Sequence, residues 1–407
     1  MSETASLLLV THVHLRQGPN GLQIDDQTAA GIEQWCRHFG SVSFYGIMIE
    51  ATSTGPGSTV WVDTHLGVLG ARVRFFGLPY AYGIGKMARH YTHVRAQLRN
   101  AVASHSHLCF TLGNIIGDWP AVAALAAIRQ KRRFSAWIDR VEPTRILDML
   151  AANRVKLLAA ATVLPVLESG TRYILRHSTV ALLQGCDTYD YYAGSAPDPH
   201  CTYDTHTRVD DQIAPVALAR KQARVLSGAP LNIVYVGRAA TMKGPFDWLE
   251  TLARLHRQGI AFHATWIGDG PDLPAMRQRI DDLNLTNAID LPGFENRREI
   301  LLRKLEESDL LLFCHRTAES ARCLIEALVC GCPIVGYDMA YPRGLVEERG
   351  GGVLVPWSDV ALLTTRMVQL HEDRPYLARL IAEAAASGQL YDEDTVYAHR
   401  AELMRRG

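Results

Sequence analysis

No run of apolar residues in this 407-residue sequence is long enough to cross a bilayer. The most apolar stretch, Ile146 to Leu167, is interrupted by Asp148, Arg154 and Lys156, whereas a span needs about twenty largely uncharged residues. Those charges suit an amphipathic core helix and leave open a face that rests on a membrane surface. Net charge is also lacking, since Lys plus Arg and Asp plus Glu both number 42. No global field draws the chain to nucleic acid or to an anionic bilayer, and no nucleic-acid partner is expected. Met1 to Ser6 lacks a basic n-region and runs into Leu7 to Val10, which reads as a strand and not a signal peptide, so a cytoplasmic protein is expected.

Cysteines with metal-ligand spacing are missing too. The 8 cysteines stand in apolar contexts such as Trp35-Cys36, Leu108-Cys109 and Phe313-Cys314, and a single residue separates Cys330 from Cys332. Neither a zinc knuckle nor a disulfide framework is implied. Ile267-Gly268-Asp269-Gly270-Pro271 allows a tight turn but lacks the spacing of the dinucleotide fingerprint, which counts against a dehydrogenase.

What is present is a large supply of core: 48% of residues are hydrophobic and 21% charged, and a chain of this length should split into two domains. In the second half, apolar strands alternate with helices. Strands are expected at Asn232 to Gly237, Phe262 to Ile267, Ala288 to Leu291, Asp309 to Cys314, Pro333 to Gly336 and Gly352 to Val355. Helices are expected at Phe246 to His256, Leu273 to Leu283, Arg297 to Glu306 and Arg322 to Val329. Such alternation, with little period-two pattern, marks a parallel sheet covered on both faces. The first half repeats it more loosely, with strands at Leu7 to Val10, Ser43 to Ile47, Val73 to Phe76, Leu108 to Leu112, Phe134 to Ile138 and Val180 to Leu183, and a helix at Gln27 to His38. Gly194 to Asp211, rich in Pro, Asp and His, reads as the linker. The domains predicted are 1–205, 206–390 and a C-terminal helix, 391–407, that returns to the first domain.

Open parallel sheets bind ligands beyond the carboxyl ends of their strands. After Asn232 to Val236 comes Gly237-Arg238-Ala239-Ala240-Thr241-Met242-Lys243-Gly244. Its two cations match a pyrophosphate, the bland alternative being a solvated pair of surface charges. A helix is expected from Arg322, and the amides at Cys323 and Leu324 in its first turn point toward a ligand phosphate. Glu326, one turn further, is placed to accept hydrogen bonds from ribose hydroxyls. Asp392-Glu393-Asp394 reads as a helix cap and not as a metal site.

With these segments in view, the chain resembles glycosyltransferase family 4, retaining enzymes of the GT-B architecture, in which two Rossmann-like domains face a central cleft. The resemblance covers nearly all of residues 232 to 360. It implies that Arg238 and Lys243 hold the donor diphosphate, that Glu326 holds the nucleotide ribose, and that Gly293-Phe294 lies near the base. Glu319 resembles the first glutamate of the family's pair, which contacts the donor sugar. The family has seven residues between the two glutamates, whereas six separate Glu319 from Glu326 and the usual spacing falls on Ala318. Gly18-Pro19-Asn20-Gly21 resembles the family's glycine loop, with Gly21 on the donor side, or is an ordinary strand-to-helix turn.

Where the family presents a histidine from its first domain, the strand end Ala136-Trp137-Ile138 leads instead into Asp139. Asp139 would stabilise charge at the anomeric carbon or orient the acceptor, or else merely pair with Arg140 or another neighbour. His12 and His14 are the reserve candidates. The expected reaction is retaining transfer of a sugar from a nucleoside-diphosphate sugar to a hydroxyl of a glycan, lipid-linked or small-molecule acceptor. Polysaccharide, lipopolysaccharide or glycolipid synthesis is the expected setting, with no metal and no other cofactor, in the cytoplasm or peripheral at the inner face of the membrane. The alternatives are a nucleotide-sugar epimerase or phosphorylase of the same fold, and a catalytically inactive GT-B-like nucleotide-binding protein.

Overall fold

A computed structural model describes residues 5–50, 60–113, 117–150, 154–317, 320–347 and 349–406. Contacts divide the chain into two units, Met1–His206 with Asp394–Gly407, and Thr207–Glu393.

The first unit contains β1 (Ser6–Gly18), β2 (Gly21–Asp25), β3 (Ser41–Ile49), β4 (Trp61–Asp63), β5 (Val73–Leu78), β6 (His107–Leu112), β7 (Ser135–Ile138), β8 (Val180–Gln184) and β9 (Pro199–Thr202). Its parallel part runs β5-β3-β1-β6-β7-β8-β9. Strand order therefore reverses between β1 and β6. The alternating side chains of β1 supply both cores. Leu8 and Val10 pack with Val94, Leu98, Trp119 and Leu175 on one face, and Leu7 and Leu9 with Ile32, Trp35, Ala401 and Met404 on the other. The second face thus needs the C-terminal helix Glu393–Arg406, whose Tyr397 ring meets Trp35 edge-on at 5.0 Å.

Three departures from the sequence reading occur here. Gly18 to Gly21 is no strand-to-helix loop: β1 and β2 pair antiparallel with Gly18 opposite Gly21, so Pro19-Asn20 is a hairpin turn. An Asn-Gly step between apolar runs is a hairpin signal. β4 extends that hairpin. Within the expected linker, Pro199–Thr202 adds to β8 as the parallel edge strand β9, where a proline at the first position is tolerated.

The second unit holds β10 (Leu231–Val236), β11 (Phe262–Ile267), β12 (Ile289–Gly293), β13 (Leu310–Phe313), β14 (Ile334–Tyr337) and β15 (Gly352–Val355), in the order β12-β11-β10-β13-β14-β15. Every pairing is parallel, and the order reverses between β10 and β13. Ile233, Val234 and Tyr235 are all buried, which is why β10 shows no polar alternation. Beneath the sheet the buried Lys221 donates to the carbonyls of Leu305 (3.3 Å) and Cys330 (3.1 Å), tying together the carboxyl ends of two helices. Among the described residues no helix is long and apolar enough to cross a membrane.

Candidate functional site

In a doubly wound sheet, adjacent loops diverge where the strand order reverses, and the crevice between them is where ligands bind. The second unit has this point between the loops after β10 and β13. Three glycines let the loops on the β10 side close-pack. Gly237 N–H donates to the Ile267 carbonyl (2.9 Å) and Gly268 N–H to that of Gly293 (2.8 Å). A side chain on Gly268 would strike the Gly237 carbonyl, and one on Gly270 the Ala239 carbonyl. Ala239 and Asp269 add a further backbone bond of 3.0 Å.

The loop then makes a short 3-10 turn, Thr241–Lys243, and enters the helix Pro245–Arg257 through Gly244. Gly244 is left-handed at φ +65°, and a Cβ on it would collide with the carbonyl of Cys314 just after β13. Arg316 N–H donates to the Met242 carbonyl at 2.8 Å, joining the two loops a second time. Arg238 is exposed and Lys243 half-buried on this edge. Arg316 joins them as a third cation, its Nε 3.8 Å from Asp247, which also accepts from the Tyr337 hydroxyl at 2.9 Å.

The remaining donor candidates spread around the same edge. Gly293, at φ +86°, ends β12, and Phe294 beyond it is 57% exposed. Glu326 lies in the helix Arg322–Val329, with Arg298 donating to its Oε1 at 3.3 Å while the other arm of Arg298 holds Asp211 at 2.7 Å. The carboxylate is thereby fixed in place on one oxygen. Cys323 is partly exposed. Leu324 departs from the reading, because its side chain is buried and its N–H already bonds the Ala321 carbonyl at 3.1 Å. Glu319 lies outside the described residues. On either side of it, Thr317 Oγ1 and Ser320 Oγ are shielded from solvent and have no hydrogen-bond partner among the described residues, so each has a donor to offer an anion.

The first unit has its own reversal point, between β1 and β6, and the sequence reading missed most of what stands there. β1 bulges between Val10 and His14. Thr11 steadies the bulge, its hydroxyl donating to the Tyr45 carbonyl (3.3 Å) and accepting from Val13 N–H (3.2 Å). Bulges re-aim side chains, and this one presents His12. Its Nε2 lies 3.5 Å from Asp118 and its Nδ1 3.0 Å from the Tyr82 hydroxyl. Asp118 is buried, accepting from Gly113 N–H (3.0 Å) and capping the helix Trp119–Arg129 through Ala121 N–H (3.1 Å). A Cβ on Gly113 would come within 2.8 Å of His12 Nε2. Tyr82 is held by its own segment, since Trp119 donates to the Pro79 carbonyl at 2.8 Å and Gly117 leaves no room beside the Ala81 carbonyl. Burial, with Asp118 next, pushes the Tyr82 phenol up to about 12.

Asp139 follows β7 on the same edge. Asp139 is exposed; its carboxyl is raised by desolvation from surrounding protein and by Asp204, with Arg400, Arg140 and His12 acting in the opposite sense. Arg140 is engaged with Glu142 at 2.8 Å. Arg400, fully buried on the C-terminal helix, lies 4.5 Å over the Trp137 ring and donates to the Tyr203 carbonyl at 2.8 Å. His14 is lowered by burial, Asp25 opposing, and sits where β1 has rejoined β3. Gly21 stands in the β1–β2 hairpin, opposite Gly18. A signal for Asp118 was present in the sequence: an Asp just before Trp-Pro marks a helix start.

Comparison with known proteins bears on the fold and on the family that the second unit is similar to. Residues 219–387 match the family model described as glycosyl transferases group 1. The amylovoran biosynthesis glycosyltransferase AmsK of Erwinia amylovora is 28% identical over 184 residues, 44% of this chain and 45% of that protein. The 2-deoxystreptamine N-acetyl-D-glucosaminyltransferase of Streptomyces fradiae is 28% identical over 199 residues, 47% of each. The matched part spans less than half the length of these curated relatives. The crystal structure of Anabaena HepE in complex with UDP superposes with a TM-score of 0.66 at 14% identity, covering 99% of this chain and 100% of that one, which is a likeness of fold. Residues 219–387 are thus similar to the glycosyl transferases group 1 family, and the two parallel-sheet units have the GT-B fold.

Proposed function

We propose that the protein transfers a sugar from a nucleoside-diphosphate sugar to an acceptor hydroxyl with retention of anomeric configuration, in polysaccharide, lipopolysaccharide or glycolipid synthesis. The observation that carries this reading is the closure of the Gly237–Gly244 loop onto the Cys314 carbonyl at the reversal point of the second sheet, with Arg238, Lys243 and Arg316 on the same edge. Backbone amides and cations at such a place favour a diphosphate, and favour it more as it leaves and gains charge. Glu326, anchored by Arg298, is the group for the ribose.

In the reaction the bond from the anomeric carbon to the diphosphate oxygen breaks, the bond to the acceptor oxygen forms, and the acceptor gives up its proton. To Asp139 we assign the stabilisation of the positive charge that develops on the sugar. Tyr82 and His12, backed by Asp118, orient the acceptor hydroxyl and accept its proton. The cations of the second unit replace a divalent metal, so full loss of turnover in chelator, restored by magnesium or manganese, contradicts this part of the reading.

The named activities of AmsK and the presence of UDP in HepE make a uridine donor and a glycan acceptor the first choices. We place the protein in the cytoplasm, with peripheral membrane contact through exposed Leu158 (71%) and Val166 (72%) on the helix Arg154–His177 when the acceptor is lipid-linked. A thermal-shift panel of nucleoside diphosphates and their sugars tests the donor class. A cognate ligand at a hundred times its dissociation constant stabilises by about 2.7 kcal/mol, and no shift with any of them contradicts the proposal.

A further inference from the structure

Of the 8 cysteines, Cys36, Cys109, Cys314, Cys330 and Cys332 are buried. Burial pushes the Cys36 thiol to about 11 and those of Cys109 and Cys332 to about 12, which leaves them inert. Cys186 and Cys201 differ in every respect. Both are partly exposed, and their sulfurs stand 3.9 Å apart. Cys186 is the second residue of the helix Gly185–Tyr192, which springs directly from the end of β8; Cys201 lies on the neighbouring edge strand β9, opposite Leu183. The Tyr203 hydroxyl is 3.3 Å from Cys186 Sγ.

This setting favours charge on one sulfur of the pair. The hydrogen bond shared with Cys201 lowers the Cys186 thiol, with burial opposing and Tyr203 assisting. The same bond, followed by burial, holds Cys201 as the protonated partner. A nucleophilic thiolate with a protonated thiol beside it is the arrangement of a dithiol that exchanges with disulfides.

We propose that Cys186 and Cys201 form a redox-active dithiol, a modification site that takes a small-molecule disulfide as oxidant and closes to an internal disulfide. Cys186 thiolate attacks one sulfur of oxidised glutathione, whose S–S bond breaks and releases one glutathione thiolate. Cys201 then gives up its proton and attacks Cys186 Sγ, forming the internal bond and releasing the second glutathione. The two protons end on the two glutathiones, and the protein loses two electrons to the disulfide that is reduced. In the mixed disulfide Cys186 has no charge, so the restraint on ionising Cys201 is removed at the step that needs it. The product staples the helix after β8 to β9, within the first unit.

The test is peptide mapping of the full chain under non-reducing conditions after equilibration in glutathione buffers from reducing to oxidising. The expected product is a single linked peptide pair, Cys186 with Cys201. Cys201→Ser should hold one glutathione on Cys186, and neither single variant should form an internal disulfide at this place. Iodoacetamide should label Cys186 faster than Cys201 at pH 7. Two free thiols in fully oxidised glutathione, or a link to any other cysteine, overturns the proposal from the wild-type chain alone.

Discussion

His12 and Tyr82 meet at 3.0 Å, imidazole Nδ1 to phenol oxygen, at the point where the strand order of the first sheet reverses. With Asp118 on the far side of the ring, a proton taken from an acceptor through Tyr82 leaves a cation that a buried carboxylate stabilises. His12→Asn should lower turnover by roughly a hundredfold or more, as expected for loss of a general base, while nucleoside-diphosphate affinity stays unchanged. Tyr82→Phe should fall in the same direction. Wild-type turnover in both variants, measured with donor and acceptor saturating, removes this pair from the chemistry.

Asp139 makes a prediction that joins activity to stability. Its folded carboxyl is raised above the ordinary 3.8, so the folded state holds the proton more tightly than the unfolded chain. The stability gained by holding it is lost as pH rises through the interval above 3.8, and solvent screening keeps the cost of the ionised, exposed group at neutral pH small. Asp139→Asn should therefore melt higher than wild type at pH 7, with the gain shrinking as pH falls toward 3.8, yet turn over more slowly. A variant that is both less stable at neutral pH and fully active contradicts the placement of this carboxyl.

Gly244 tests the donor loop through the backbone. Its left-handed φ costs a side chain roughly 1 kcal/mol, and the collision with the Cys314 carbonyl forces the loop away. Gly244→Ala should destabilise the protein and abolish nucleoside-diphosphate binding. Gly228, at φ +78° with open space around a Cβ, is the control. Gly228→Ala should show only the backbone cost and bind normally. Equal binding by both, measured by calorimetry, separates the loop from the ligand.

The strands of the second unit were legible because Ile233 to Tyr235 and their counterparts are buried on both faces, and a short, unbroken apolar run between two amphipathic helices fits a central parallel strand. Arg238 and Lys243 were read from the loop after a strand end and Glu326 from its place in the following helix, with the family resemblance supplying their roles. Arg316 was not legible, since its place depends on a backbone bond to Met242 that only the meeting of two loops creates. Leu324 was misread for a similar reason: helix position says that an N–H is near the start, and only the structure shows the Ala321 carbonyl already accepting it. In the first unit Pro199 made β9 look like a linker, although an edge position accommodates it. The His12, Asp118 and Tyr82 contacts join residues from three separate segments, which no local pattern announces.

If the cations after β10 bind the diphosphate of a nucleotide sugar, their removal must weaken the charged ligand and spare the uncharged one. Calorimetry on wild type, Arg238→Ala and Lys243→Ala, each verified as folded, tests this with a nucleoside and its diphosphate. A charge-assisted bond is worth roughly 1.5 to 3 kcal/mol, so each variant should bind the diphosphate about ten- to a hundredfold more weakly, with nucleoside affinity unchanged. Equal diphosphate affinity in all three proteins contradicts a diphosphate site at these cations.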